Sequence, residues 1–415
     1  MSSILPYDII VQIIDTVGED KNTELLKELS LVSHSFHHIC CKRLFATVAI
    51  HNPHPKLKDR GVFSKKSFVN LLKSRPDVAK YIRKLTYEVN EYDDNDHLFS
   101  PILPNFLRTI SHLNCLTIDG SCLDWHAMDS SLTSAFLYLM HLPTINHIDL
   151  SCITDFPLSS LTPSVNLLRL GMDCVNPLEE EVVQSFWSEM MPKIHEFRTI
   201  RSPLLTTKLL HAEKQDGQPA FNFKDLRQLS ICLGDKQSIR YLLQNAMSLE
   251  KLHLILIAAH QTFEGLHDIL SASAGTLKVL DLTIRLAKPP DVTIGRRRQN
   301  LLFERLCEEL EAMAGHNMPE SLSLEVIIRH DSPDVIGSLL QNVEKVLVKP
   351  GWSALRQVSF KVSVICRSMK YNTCAMFVEE LQSLLPDKYL NRLSKLDFVA
   401  LRHPSHVAEC YCTGQ

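Results

Sequence analysis

The sequence predicts an α/β fold in which strand–helix units stack into a curved parallel sheet with helices on its outer side, preceded by a short all-helical segment. Three observations carry this expectation. A phrase of the form LxxLxL recurs eleven times between residues 82 and 400. Segments with helical apolar spacing lie between most of its occurrences. The first 50 residues do not share this repeated pairing of phrase and helical segment.

The phrase runs from "IRKLTYEV" at 82, "LNCLTIDG" at 113 and "INHIDLSC" at 145 to "LEKLHLIL" at 249, "LKVLDLTI" at 277, a degraded "SLSLEVII" at 321 and "LSKLDFVA" at 393. Each copy ends in period-two alternation. Leu85, Tyr87 and Val89 point one way while Thr86 and Glu88 point the other, the pattern of a strand with one buried face. Between copies, "SIRYLLQNAMS" and "LLFERLCEELEAM" place Ile239, Leu242 and Leu243, or Leu302, Leu306 and Leu310, on one helical face. One such unit cannot bury its own apolar surfaces, so the units must stack. Copies lie on average about 31 residues apart, longer and less regular than the ~20–29 of a leucine-rich repeat, which makes the array leucine-rich-repeat-like. A doubly wound sheet would need a glycine-rich βα turn, and the chain has 13 glycines and no such motif. The longest step, around "LAKPPDVTIGRRRQN", reads as an inserted loop, with "GRRRQ" at 295–299 leading into a helix.

The first 50 residues read "LPYDIIVQIIDTV", a polar break "GEDKNT", then "ELLKELSLVSHSFHHICCKRLFATVAI". Pro6 suits a helix start, where its missing N–H has no intrahelical acceptor. Ile9 and Ile13 form one stripe and Ile10 and Ile14 another, about 100° away. A short helix with two apolar stripes has one for its own core and one for something else. This segment resembles the F-box, through Leu5, Pro6, Asp8, Ile9, Ile13 and Ile14, then Leu26, Leu29, Leu31, Val32, Ser33 and Phe36. The ending "RLFATVAI" is similar to the form abundant in fungal F-box proteins.

The resemblance implies an organisation: an F-box adaptor-docking domain at 1–50, a helical connector at 51–81 around "KSFVNLLKSRPDVAKYI", and a leucine-rich-repeat-like solenoid at 82–415 that binds a substrate. It also implies partners, namely a Skp-family adaptor, through it a cullin, and an unidentified protein substrate. The chain would then be a non-catalytic substrate receptor of an SCF-type cullin–RING ubiquitin ligase. The expected adaptor-binding residues are Leu5, Pro6, Ile9, Ile13, Leu29, Val32 and Phe36. A scaffold for protein–protein interaction outside ubiquitin ligases is the alternative.

Composition is consistent with this expectation. The formal net charge is −3, from 44 basic and 47 acidic residues, so no whole-chain field attracts nucleic acid or a membrane surface. The apolar N-terminal stretch carries Asp8 and Asp15 and is too short to span a bilayer, which points to an intracellular protein, cytoplasmic or nuclear. Twelve cysteines without a CxxC pair, many in segments such as "LNCLTI" and "LSICLG", read as reduced, buried thiols. No GxSxG, HExxH, GxxxxGK[ST] or GxGxxG motif is present, so neither an enzyme nor a cofactor is expected. No homo-oligomer is expected either.

Several clusters invite a metal reading that the sequence does not favour. His34, His37, His38 and Cys41 share a helical face in "HSFHHICC", but that helix already belongs to the N-terminal motif. The tail "HPSHVAECYC" brings His403, His406, Cys410 and Cys412 close in sequence, and is read as a frayed end. Asp93, Asp94 and Asp96 lack the glycine and distal glutamate of an EF-hand. Across the expected sheet, the position between the last two apolar residues of each phrase reads Thr86, Thr117, Asp149, Gly171, Arg198, Ser230, His253, Asp281, Glu325, Ser359 and Asp397. That row is mixed in sign, which suits a protein partner rather than nucleic acid.

Overall fold

The structure is a computed structural model. It describes residues 6–19, 22–51, 61–89, 102–179, 191–214, 217–232, 236–257, 265–271, 275–285, 292–314, 319–329, 342–343, 345–347, 352, 354–366 and 395–402. The chain divides into two compact units, Met1–Pro192 with His211–Phe221, and Lys193–Leu210 with Asn222–Gln415.

The first unit opens with three helices, α1 (Tyr7–Glu19), α2 (Thr23–Ser30) and α3 (His34–Leu44). Each start has a local cause. Pro6 contributes its carbonyl to the N–H of Ile10 at 3.2 Å. The Asn22 side chain accepts from the Leu25 N–H, and Ser33 Oγ accepts from the Phe36 N–H, which satisfies donors a helix start leaves open. Then follow β1 (Thr47–Ile50), β2 (Val62–Phe63), α4 (Lys65–Ser74), a 3-10 turn at Pro76–Tyr81 and β3 (Lys84–Glu88). The unit continues with α5 (Leu103–Leu107), β4 (Cys115–Asp124), α6 (Ser130–Met140), β5 (His147–Phe156) and β6 (Arg169–Pro177).

These strands are all parallel, in the order β2-β1-β3-β4-β5-β6. The sheet therefore starts at Thr47, well before the first LxxLxL phrase. "TVAI" is only four residues long, too short to show a period, and its pairing with β3 decides its conformation. Parallel strands need crossovers, and the intervening helices cover one face of the sheet. There Tyr87 of β3 meets Phe136 of α6 edge-on, with ring centroids 5.0 Å apart, both fully buried. A bulge shifts the β4–β5 register between Asp119 and Leu123. Gly120 sits in it because a Cβ there would lie 2.6 Å from the Cys152 carbonyl oxygen.

The second unit contains β7 (Glu196–Ile200), α7 (Pro203–Leu210), β8 (Gln228–Cys232), α8 (Lys236–Asn245), β9 (Lys251–Ile257) and α9 (Leu266–Ser271). It goes on through β10 (Val279–Arg285), α10 (Val292–Met313), β11 (Ser321–Arg329), β12 (Gln357–Cys366) and β13 (Lys395–Arg402). Its seven strands are parallel and adjacent in sequence order. Glu309 of α10 accepts the N–H groups of Gly265 and His267 at 2.7 and 2.8 Å, a carboxylate at the N-terminus of α9 supplied by the next helix.

Three expectations change here. The long step before β11 is filled by the 22-residue helix α10, with "GRRRQ" inside it rather than in a loop. Arginine is a good helix former, so the run extends the helix that follows it. The polar row is also re-registered. Asp281 lies opposite Ser323, not Glu325, because "SLSL" enters the sheet two residues earlier than the apolar phrase suggested, and Asp397 lies opposite Lys361, not Ser359. Finally, the cysteines are not uniformly buried thiols. Cys122 is in a disulfide, and Cys115 is half-buried on the polar side of its strand. Spatial proximity of sulfurs leaves no local pattern in a sequence. The His403, His406, Cys410 and Cys412 group and Asp93, Asp94 and Asp96 lie outside the described residues.

Candidate functional site

The three N-terminal helices share a small core of Ile10, Ile14, Leu26, Ile39 and Cys40, with Val11, Val17, Leu29, Phe36 and Leu44 packed against it. On α1 the two stripes separate as their spacing dictates. Ile10 and Ile14 are 9% and 0% exposed, while Ile9 and Ile13 are each 41% exposed. The turn between α2 and α3 adds Leu31 at 85% and Val32 at 65%, and Tyr7 adds 52%. Of the ten strongly exposed large apolar residues in the described chain, five lie between positions 7 and 32. Scattered apolar exposure is ordinary; here it is concentrated on one short segment.

The residues singled out from sequence fall into three groups. Pro6, Ile9, Ile13 and Val32 are exposed. Leu29 and Phe36 are half-buried and pack against the core of the three helices. Leu5 lies outside the described residues. Tyr7 and Leu31 are exposed as well, outside the expected adaptor-binding set; for Leu31 a signal exists, because "LSLVS" places apolar residues in a turn where neither helix can fold both of them inward.

The face is held by polar contacts. Arg43 of α3 donates from Nε to Asp15 of α1 at 2.8 Å, fixing the angle between those helices. On the inner side, α3 is tied to the 3-10 turn ahead of β3. Arg75 holds Asp77 through two 3.1 Å contacts and donates to His37 Nε2 at 3.2 Å. His37 Nε2 also lies 3.5 Å from Cys41 Sγ. His38 Nδ1 pairs with the Tyr81 hydroxyl at 2.8 Å. Arg75 thus engages His37, which in turn contacts Cys41. The Arg75 hydrogen bonds hold the Asp77 carboxyl below its ordinary range, and burial pushes both the Cys40 and Cys41 thiols up.

The polar faces of the sheets are largely self-paired. In the second unit, His253 bridges Ser230 and Thr283 at 2.9 Å on each side, and burial holds its imidazole below the usual histidine range. Lys251 pairs with Asp281 at 3.0 Å, and Glu325 takes Lys361 at 2.7 Å and Ser363 at 2.8 Å. Burial works against ionisation of Glu325, but these two hydrogen bonds outweigh it and keep the carboxyl low. Charges neutralised within the sheet give no stripe of one sign. Among the described residues, no three His, Cys, Asp or Glu side chains converge as a metal requires, and no helix is long and apolar enough to cross a membrane. Compared with known proteins, the chain matches no family model and no curated protein sequence.

Proposed function

We propose that this chain is a substrate receptor of an SCF-type cullin–RING ubiquitin ligase, with an F-box formed by α1 to α3 and a leucine-rich-repeat-like array that recruits a protein substrate. The observation that carries the reading is the exposed apolar set Ile9, Ile13, Leu31 and Val32 on a helical unit whose own core is already filled by Ile10, Ile14, Leu26, Ile39 and Cys40. Complete burial of an Ile, Leu or Val side chain is worth about 1.5–3 kcal/mol, so a few half-exposed anchors supply enough to offset the cost of association. The resemblance of "LPYDIIVQIIDTV" and "LSLVSHSF" to F-box segments names the partner: a Skp-family adaptor. The chain carries no chemistry in this role, and a protein substrate fits the mixed, internally paired charges of the sheet faces.

The test is binding of the purified chain to purified Skp-family adaptor, measured by calorimetry, beside the variant Ile9→Glu with Val32→Glu. Both residues are exposed, so the variant keeps its fold. Wild type is expected to bind and the variant to lose at least tenfold in affinity. Absence of binding by wild type, where another F-box protein binds under the same conditions, would remove the reading.

A further inference from the structure

On the polar face of the first unit, four neighbouring strands bring Lys84, Cys115, His147 and Arg169 into a single rung, each directly opposite the next in the parallel ladder. His147 Nε2 lies 2.9 Å from Asp149 Oδ2, two residues along the same strand. The same imidazole is hydrogen-bonded with Cys115. Cys115 is half-buried, neither sealed in the core nor fully solvated. The other described free thiols divide evenly between buried and half-buried. Cys40 and Cys41 are buried among the N-terminal helices, and Cys307 is half-buried on α10 beside Glu304, Glu308 and Glu311.

The arrangement has three roles filled. A thiol stands beside an imidazole, and a carboxylate orients that imidazole, the grouping of nucleophile, proton-carrying histidine and orienter found around activated cysteines. Lys84 and Arg169 flank the rung with positive charge, and partly exposed, electropositive surroundings mark reactive rather than structural cysteines. We propose that Cys115, assisted by His147 and Asp149, is a nucleophilic thiol and the site at which this protein takes up soft electrophiles of the α,β-unsaturated carbonyl class. In that addition Sγ bonds to the β-carbon, the alkene π pair moves to the α-carbon, and the α-carbon takes its proton from the imidazolium or water. Nothing leaves and no oxidant is needed. Backbone N–H groups at the rung are spent in the ladder, Cys115 N on Arg83 O and His147 N on Asn114 O. No pair of free N–H donors is left there to stabilise a tetrahedral oxyanion, so addition fits the rung better than acyl transfer.

The hydrogen bonds with Asp149 and Cys115 push the His147 imidazole up to about 9, so it is protonated at neutral pH and stands on the rung as a proton donor. The groups facing it are Lys84 on β3, Cys115 on β4, Asp149 on its own strand and Arg169 on β6.

The experiment uses the full chain and N-ethylmaleimide in limiting amount at pH 7, with mass-spectrometric mapping of each cysteine. Cys115 is expected to be modified at least tenfold faster than Cys307, whose thiol burial raises to about 11. In the variant His147→Gln the Cys115 rate is expected to fall about tenfold at pH 7, with the difference from wild type narrowing above pH 9, where wild type loses the imidazolium. Equal rates at Cys115 and Cys307 in the wild-type chain would overturn the proposal, and so would an unchanged Cys115 rate in a folded His147→Gln. If that variant does not fold, the wild-type comparison alone decides. Adaptor binding plays no part in the outcome.

Discussion

Two isoleucines one position apart on α1 have opposite fates, and the difference is a rotation of about 100°. Ile14 is fully buried against Leu26 and Ile39, while Ile13 is 41% exposed. Ile14→Ala is therefore expected to destabilise the chain by about 2–4 kcal/mol, and Ile13→Ala by less than about 1 kcal/mol, read from urea midpoints. Loss of adaptor affinity should follow the opposite order. A second residue-scale prediction concerns His147. Its imidazole is raised to about 9 by the hydrogen bonds with Asp149 and Cys115, above the ordinary 6.5 of an unfolded chain. The stabilisation is thus complete below about pH 6.5 and is lost as the pH rises through 9. Urea midpoints should fall between pH 7 and 9.5, and Asp149→Asn should flatten that fall.

At the scale of elements, the strands were the most legible part of the chain. Each LxxLxL phrase became one strand of β3 to β13, because two apolar residues at i, i+2 facing a helix layer leave few other ways to bury them. The bulge in β4 was not legible, since its cause lies on the neighbouring strand. Gly120 has no room for a Cβ against the Cys152 carbonyl, whereas nothing lies within 4 Å of one built at Gly275. Gly120→Ala is expected to cost more than about 2 kcal/mol by urea denaturation, and Gly275→Ala to stay within about 1 kcal/mol. The helix α9 makes a similar point. Its six residues begin without a capping side chain of their own, and Glu309 of α10 provides one from some 40 residues away. Glu309→Gln should cost about 1 kcal/mol and speed hydrogen exchange at Gly265 and His267.

For the whole molecule, an exposed apolar face couples stability to partner binding. If a Skp-family adaptor binds the native chain only, saturation at a hundred times its Kd adds about 2.7 kcal/mol, visible as a higher Tm. The Ile9→Glu and Val32→Glu variant should show no such shift while melting close to wild type in isolation. This separates docking from folding, because the core residues of the three helices are untouched by either change.

The sequence by itself determined that the chain alternates strands and helices, that the strands are parallel, and that α1 carries two apolar stripes. These follow from local periodicity, which the backbone geometry of a strand or helix converts directly into faces. Only the tertiary structure decided which stripe of α1 lies inside, that Leu29 and Phe36 turn toward the core while Leu31 and Val32 turn away, and that β1 and β2 extend the sheet toward the N-terminus. It also decided the register that puts Cys115 between Lys84 and His147, and Ser323 rather than Glu325 beside Asp281. Register is a relation between strands far apart in sequence. Two residues of slip keep every apolar side chain on its proper face while changing every polar neighbour, so the hydrophobic pattern alone cannot choose between them.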